Sequence, residues 1–468
     1  MKRHLLLGTI AAVATALAAC SAGPPATPTT DAGSPAAAPA LDAAFGEAGV
    51  LAAPQSTTAH DRFISVVEGA DGLIYASGFV RTGTDTAASV TRFRDGALDT
   101  GYGTNGTVVV NVAPNATAVE VARGLVVQED GSVVLASPFE KDPAAAGDAA
   151  KDTDIAVIRL DADGALEPAF GEGGIARVDL GAGRAVDPET YLADNSWGLA
   201  ARDGGYVVFG TTPGRAADRT DADFALAGLT TTGAPDTGFG DGGVLVVDLE
   251  GSGDSARNVL VADDGSILAT GYSRGADEVV RPVLIKTDGA GVLDPAFGQG
   301  GVASHTVLPG VAESYQVAQQ GDAYVMAGYG RGADSAEKVD LVAYRFTAAG
   351  ELDTSFGSDG VFRLDLAGQD DRARNLTILP DGRIMVVGSG KTTADAIDGL
   401  VVVLDADGAL DTAFGDGGHL LVDLGQTADG IFGVTVSADG SAAWLAGFSG
   451  GTPDTDEHDD SVLLRMSL

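Results

Sequence analysis

Residues 293–301 read Leu293-Asp294-Pro295-Ala296-Phe297-Gly298-Gln299-Gly300-Gly301, and this spacing, Leu-Asp-x-x-Phe-Gly-x-x-Gly, returns along the whole chain. Its aromatic falls at Phe45, Tyr102, Phe170, Phe239, Phe297, Phe356 and Phe414, at intervals of roughly 60 residues, as in a structural repeat. The second slot is acidic in every copy: Asp42, Asp99, Glu167, Asp236, Asp294, Asp353 and Asp411. The last is always glycine: Gly49, Gly106, Gly174, Gly243, Gly301, Gly360 and Gly418. Each residue type has a structural task. A carboxylate beside a turn accepts backbone N–H bonds. The ring is a large apolar body for the gap between repeats. Glycine reaches positive φ. A motif repeated this often suits a scaffold better than a single active site.

Between copies the order of elements also repeats. Residues 243–249 (GVLVVDL) and 257–262 (RNVLVA) are β-rich runs, Asp264-Gly265 is a tight turn, and 266–272 and 282–286 are further runs. No helix-period segment intervenes. Four short strands per repeat predict an all-β fold, a seven-bladed β-propeller of four-stranded blades over residues 41–468. The pattern resembles the delta-60 repeat family of bacterial propellers in its LDxxFG motif, its Asp-Gly turn and a second strand ending in glycine. That glycine is Gly78, Gly210, Gly271, Gly328, Gly388 and Gly447. Ser137 departs from it, Pro235 replaces one motif leucine, and Gly321-Asp322 reverses one turn. The resemblance implies a propeller and no particular activity. By analogy with NHL-type propellers the strand before the turn is innermost (a), followed outward by b, c and, after the motif, d. Residues 49–54 are then an orphan d strand and residues 460–467 a c strand without a neighbour. Pairing them would close the ring and remove its last open sheet edges.

The N-terminus reads as an address. Lys2 and Arg3 precede an apolar stretch from Leu5 to Ala19, too short for a membrane helix of ~20 residues and suited to an export signal peptide over 1–19. Leu17-Ala18-Ala19-Cys20 resembles the lipobox of bacterial lipoproteins, which implies lipidation of Cys20, the only cysteine in the chain. Ser21 resembles outer-membrane rather than inner-membrane retention, where the source has two membranes. Residues 20–40 follow as a Pro/Ala-rich tether, able to extend roughly 60 Å at ~3.1 Å per residue.

Composition excludes several classes. The 67 glycines and 18 prolines show no collagen period, 45% hydrophobic residues exclude disorder throughout, and one cysteine excludes a disulfide framework. A net charge of −38 argues against nucleic acid and anionic membrane surfaces, leaving the lipid as the only membrane contact. No cofactor is expected, and no catalytic or metal-binding residue is assigned. A monomer is expected.

Candidate ligand contacts are arginines. Arg123, Arg257 and Arg374 each stand seven residues before a turn aspartate, hence at the start of strand a, near the channel mouth on the face of the b–c loops. Three guanidinium groups there suit a carboxylate or phosphate. Trp197 and Tyr315 fall one residue off that slot, which would turn them to the other strand face. The competing expectation pairs these arginines with Asp179, Asp248, Asp365 and Asp423 at the blade ends. Arg274 and Arg331, in the near-twin sequences GYSRGAD and GYGRGAD, are further candidates from neighbouring b–c loops. Those loops vary greatly, as in residues 80–89, 138–154 and 449–460, and variable loops on a scaffold are where recognition concentrates. Asp161-Ala162-Asp163-Gly164 and Asp405-Ala406-Asp407-Gly408 look like calcium loops but lack a third ligand, so turn chemistry accounts for them better. The acidic residues 454–460, with His458, are read as a solvated loop. Together these features predict a lipid-anchored envelope module that binds a protein, glycan or small anionic ligand. The alternatives are a structural envelope protein without a ligand, and an extracellular propeller hydrolase or lyase.

Overall fold

The computed structural model describes residues 39–468 apart from 57–59, 84, 115, 117–119, 143, 146, 188, 189, 217, 218, 250–252, 392, 394, 395 and 451–457. The expected signal peptide, Cys20 and nearly all of the tether lie outside the described residues.

The sixth repeat shows how the sequence makes a sheet. Arg372–Ile378, Ile384–Gly390, Asp398–Leu404 and His419–Val422 pair antiparallel in chain order. Asp398–Leu404 is buried along its whole length, because neighbouring sheets cover both of its faces. This is why its core reads as a continuous run of valines and leucine instead of an alternating pattern. The other repeats follow the same plan. The first is His60–Glu68, Ile74–Thr82, Asp85–Arg94 and Thr107–Val110. The second is Gly124–Val127, Val133–Glu140, Thr153–Leu160 and Ile175–Val178. Then come Asn195–Arg202, Gly205–Pro213, Ala222–Thr230 and Val244–Val247. Gly253–Val261, Ile267–Arg274, Val280–Thr287 and Val302–Ser304 are next. A parallel bridge from Val280 to Val311 joins them to Gln316–Gln320, Ala323–Arg331, Asp340–Phe346 and Val361–Leu364. In the last repeat Ala428–Val436, Ala442–Gly450 and Asp460–Ser467 are joined by Val50–Ala52, which pairs with Asp460–Ser467. The arrangement is all-β and propeller-like. The expected loop at 80–89 is mostly strand, since Thr82 pairs directly with Asp85.

The recurrent motif does what its chemistry predicts. Asp411 accepts the Ala413 N–H at 3.1 Å, and Phe414 N–H bonds the Asp411 carbonyl at 3.0 Å. Phe356 is fully buried, and its ring lies so close to the next repeat that a Cβ on Gly408 would meet it at 2.6 Å. The motif glycine then ties the two repeats together, Gly357 N–H to Asp407 O at 2.8 Å. Asp405 Oδ1 accepts from Asp407 N at 3.0 Å and Ala409 N at 2.9 Å, and Asp161 does the same for Asp163 and Ala165. These aspartates hold turns.

Candidate functional site

The b-strand glycines identify what shapes the channel. A Cβ on Gly210 would lie 1.7 Å from the Asn195 carbonyl oxygen, and one on Gly388 1.9 Å from that of Arg372. Gly78, Gly271, Gly328 and Gly447 face the same obstacle at 1.8–2.1 Å. Directly after the residue paired with this glycine, the inner strand carries a bulge, between Phe63 and Ser65, Ser196 and Gly198, Ala256 and Asn258, Ala373 and Asn375, and Ile431 and Gly433. The residues left over are Ile64, Trp197, Arg257, Arg374 and Phe432. A bulge re-aims its extra side chain, and all five line one cavity of ≈ 380 Å³. Arg123 and Tyr315 line it too, each immediately before the pairs Gly124–Ala136 and Gln316–Ala327 that correspond to the post-bulge pairs elsewhere.

Trp197 and Tyr315 therefore share the slot of the arginines, and the expected misalignment does not exist. The reason is hairpin length. Ala262 N–H bonds Ser266 O, leaving Asp263, Asp264 and Gly265 as the loop, whereas only Asp203 and Gly204 separate the pair Arg202–Gly205. Gly321 and Asp322 alone likewise separate Gln320 from Ala323. A count of seven back from the turn aspartate lands one residue early in the first of these, at Ser196, and reaches Tyr315 in the second only because Gly321-Asp322 reverses the dipeptide; counted from the dipeptide's first residue it lands early in both. Nor do Arg257 and Arg374 start their strands: they sit inside Gly253–Val261 and Arg372–Ile378.

Around the channel, cations and rings alternate. The Arg123 guanidinium carbon is 4.2 Å from the Trp197 ring centroid, and that of Arg257 is 4.1 Å from the same ring and 4.6 Å from Tyr315. Arg374 lies 4.8 Å from Tyr315 and 5.6 Å from Phe432. Arg257 donates to Tyr272 Oη at 2.8 Å, and its Nη2 stands 3.8 Å from Glu313. The expected pairing with blade-end acids does not occur. Asp179 pairs with Lys141 and Asp248 with Arg219, while Asp365 and Asp423 stand in clusters of aspartates. Among the described residues neither Arg123 nor Arg374 has a carboxylate in ion-pair contact. The Nε atoms of Arg257 and Arg374 are buried without an acceptor.

The electrostatics follow from this crowding. Burial, then the charge of Arg257, pushes the Arg123 guanidinium down to about 10. Burial alone would raise the Tyr315 phenol, but Arg257 and Arg374 draw it below its ordinary range. Burial raises Glu313 against the pull of Tyr329 and Arg257. Within a chain of net charge −38, this cavity is lined by Arg62, Arg81, Arg123, Arg257 and Arg374 and, among the described residues, by no carboxylate. Arg62 is committed to Asp459 at 2.7 Å.

Arg274 and Arg331 do not join the cavity. Arg274 pairs with Glu278 at 3.4 Å and Arg331 donates to Asp334 O at 3.1 Å, each within its own loop. Sequence reasoning missed Arg62, Arg81 and Glu313. No spacing rule selects Arg81, which reaches the mouth from the end of a b strand.

Comparison with family models agrees on a β-propeller over a short stretch. Residues 379–414 match the model of the family described as "Domain of unknown function (DUF5122) beta-propeller". The matched family is a β-propeller. No curated protein matches the chain. Among solved structures, a protein of unknown function from Dyadobacter fermentans is similar at 12% identity and TM-score 0.43, over 90% of this chain and 99% of that one. Trypanosoma rangeli sialidase is similar at 10% identity and TM-score 0.43, over 91% of this chain and 59% of that one. The α-L-arabinofuranosidase Arb93A of Fusarium graminearum is similar at 10% and 0.46, over 89% and 97%.

Proposed function

We propose that the protein is a lipid-anchored β-propeller of the bacterial cell envelope, of the delta-60 repeat type, with seven blades closed by the N-terminal strand. Its task is binding, and the channel mouth on the b–c loop face takes a small anionic ligand, a carboxylate or phosphate. The observation that carries this reading is an arginine-lined cavity, without a carboxylate among its described lining residues, in a strongly acidic chain. Stacking on Trp197, Tyr315 and Phe432 holds guanidinium groups in place while leaving N–H donors uncommitted. Charge-assisted bonds to an anion then replace water without breaking an internal ion pair. The pairing of Val50–Ala52 with Asp460–Ser467 supports closure, and Cys20 with its apolar leader supports the anchor.

Calorimetric titration of the purified chain with citrate and with inorganic phosphate tests the binding. At least one probe should bind, and Arg123→Gln or Arg374→Gln should weaken it ~10-fold or more, the loss of one charged hydrogen bond. Absence of binding by both probes, or binding indifferent to both substitutions, rejects the reading.

A further inference from the structure

One residue past the bulge, or past its equivalent, each inner strand carries a second position along the channel. In the second, third and last repeats it is glycine, and a Cβ there would be blocked. On Gly124 it would meet Leu199 Cβ at 2.4 Å, on Gly198 the Val259 nitrogen at 2.8 Å and on Gly433 the Val66 nitrogen at 3.0 Å. In the fourth, fifth and sixth repeats the same position is an amide, Asn258, Gln316 and Asn375, and all three line the channel cavity. These repeats are consecutive, so the amides form one wall. Gln316 Nε2 donates to Asn375 Oδ1 at 2.9 Å, which joins two of them. The carbonyl ends are held further by backbone: Gln316 Oε1 accepts the Val317 N–H at 3.0 Å, and Asn375 Oδ1 the Leu376 N–H at 2.8 Å. Among the described residues nothing accepts from Asn375 Nδ2, and the Asn258 amide makes no hydrogen bond.

A second side of the cavity is apolar. In the last and first repeats the bulge itself carries Phe432 and Ile64, and Phe79 and Val121 stand with them. Arg374 lies between the two sides, with Asn375 next in its own strand and the Phe432 ring 5.6 Å away. The cavity thus offers three unlike surfaces: guanidinium donors, neutral amides with unused bonds, and rings and alkyl groups. A compact ion such as phosphate matches only the first and sets its hydration against the apolar side. An aromatic acid matches the first and third but leaves the amides without partners. A pyranose has hydroxyls around its rim and C–H groups across its face, so a pyranose that bears a carboxylate matches all three.

We propose that the channel cavity binds a sugar acid, with its carboxylate on Arg374, its hydroxyls on Asn258 and Asn375 and its C–H face against Phe432 and Ile64. This rests on the anion-binding role proposed above and names the class of anion. The carboxylate gives Arg374, whose Nε is buried without an acceptor, a charged partner. The hydroxyls, each both donor and acceptor, complete the amides. A volume of ≈ 380 Å³ lies at the small end of ligand pockets and suits one sugar ring in place of a polymer.

Calorimetric titration of the full chain with glucuronate, glucose, benzoate and acetate tests this, beside the citrate and phosphate titrations above. Glucuronate should bind ~10-fold or more tightly than each of the other three, since glucose lacks the charge, benzoate the hydroxyls and acetate the ring. Asn258→Ala removes a side chain that holds no hydrogen bond among the described residues, so the fold should tolerate it. It should weaken glucuronate ~3–10-fold, the loss of one neutral hydrogen bond. Arg374→Gln should weaken glucuronate ~10-fold or more. Citrate or phosphate binding with glucuronate no tighter than acetate overturns the sugar-acid proposal and leaves the anion site standing. Benzoate or glucose binding as tightly as glucuronate, or glucuronate indifferent to Asn258→Ala, also overturns it. If no anion binds at all, the anion site falls and this proposal with it.

Discussion

Arg257 lies over Trp197 with its guanidinium carbon 4.1 Å from the ring centroid, and Arg123 lies 4.2 Å from the same ring. One indole thus positions two cations from the repeats on either side of it. Like charges held this close are unfavourable without a screening group, and a π-face supplies part of that screening. On the binding role proposed above, the remainder would fall to an anion in this cavity, and the packing of the inner strands would then bear on ligand preference.

Replacing Trp197 with leucine should therefore act on stability and on binding together. Loss of two cation–ring contacts and of packing should lower unfolding free energy by ~1–3 kcal/mol. Citrate or phosphate affinity should fall as Arg123 and Arg257 lose their shared platform. Chemical denaturation and calorimetry check the two halves. Wild-type affinity in a destabilised Trp197→Leu chain would show that the ring packs but does not position.

A glycine pair offers a sharper test of the bulge. A Cβ at Gly388 would stand 1.9 Å from the Arg372 carbonyl oxygen, inside the strand pair, whereas one at Gly253 meets nothing within 4 Å. Gly388→Ala should lower stability by ~1–3 kcal/mol or more, as overpacking does. Gly253→Ala should be nearly neutral or slightly stabilising. Equal melting temperatures for the two variants would contradict the close approach.

These glycines show how much the sequence discloses. The all-β character, the repeat length, the turn aspartates and the ring packed between repeats at Phe356 or Phe414 are all legible, because each depends on local spacing. The arginine slot is half legible. Arg123, Arg257 and Arg374 stand out by a constant count from the first residue of the turn dipeptide, but Trp197 and Tyr315 do not, because their hairpins are one residue shorter. Registering the inner strands from their paired glycines and the hairpin loop would have aligned all of them. Ser137 breaks even that rule for a local reason. Upstream of Arg123 the chain leaves Val133–Glu140, and Ala122 N–H bonds Gly78 O at 3.1 Å instead, so no carbonyl blocks a side chain at 137.

The buried carboxyls fix the sign of the pH dependence. Burial foremost raises Glu120 and Asp194 to about 7, Asp254 to about 8 and Asp371 to about 6. The folded state thus keeps protons that the unfolded chain releases near pH ~4. Their stabilisation is complete below that pH and is lost as pH rises through 6 to 8. Asp277 and Asp439 lie at about 2, through Arg281 and through the Ser441 N–H respectively, so their contribution is lost only on strong acidification. Melting temperature in EDTA should peak near pH ~4–6 and decline toward pH 9, and Asp254→Asn should flatten the decline. A melting temperature that climbs steadily from pH 5 to pH 9 contradicts this.

The anchor has its own test. Cys20→Ser, or inhibition of lipoprotein maturation by globomycin, should leave the precursor unprocessed. Mass spectrometry of the membrane fraction should find the wild-type mature chain beginning at a diacylated Cys20. A mature N-terminus elsewhere, with an unmodified Cys20, removes the lipoprotein assignment.

Ring closure is open to a deletion test. Without residues 41–54, strand Asp460–Ser467 would lose Val50, Leu51 and Ala52 as partners of Leu464, Leu463 and Val462. It would also lose the flanking bonds Asp42 N–H to Arg465 O and Ala53 N–H to Ser461 O, both 2.9 Å, and the ion pair of Asp42 with Arg465. Phe45, edge-on to Trp444 at a centroid distance of 5.3 Å, would leave its apolar surface open. A row of unpaired N–H and C=O groups is a template for association. Deleting 41–54 should therefore lower the melting temperature of the whole domain cooperatively and shift it toward oligomers in size-exclusion chromatography. Deleting only 21–40 should change the melting temperature little: among the described residues of that segment, Ala40 alone pairs with a strand, at Ser467. If both deletions melt and migrate like the parent, the N-terminal strand is not the clasp. If only the longer deletion disturbs the protein, the strand borrowed from the start of the chain is what completes the final blade.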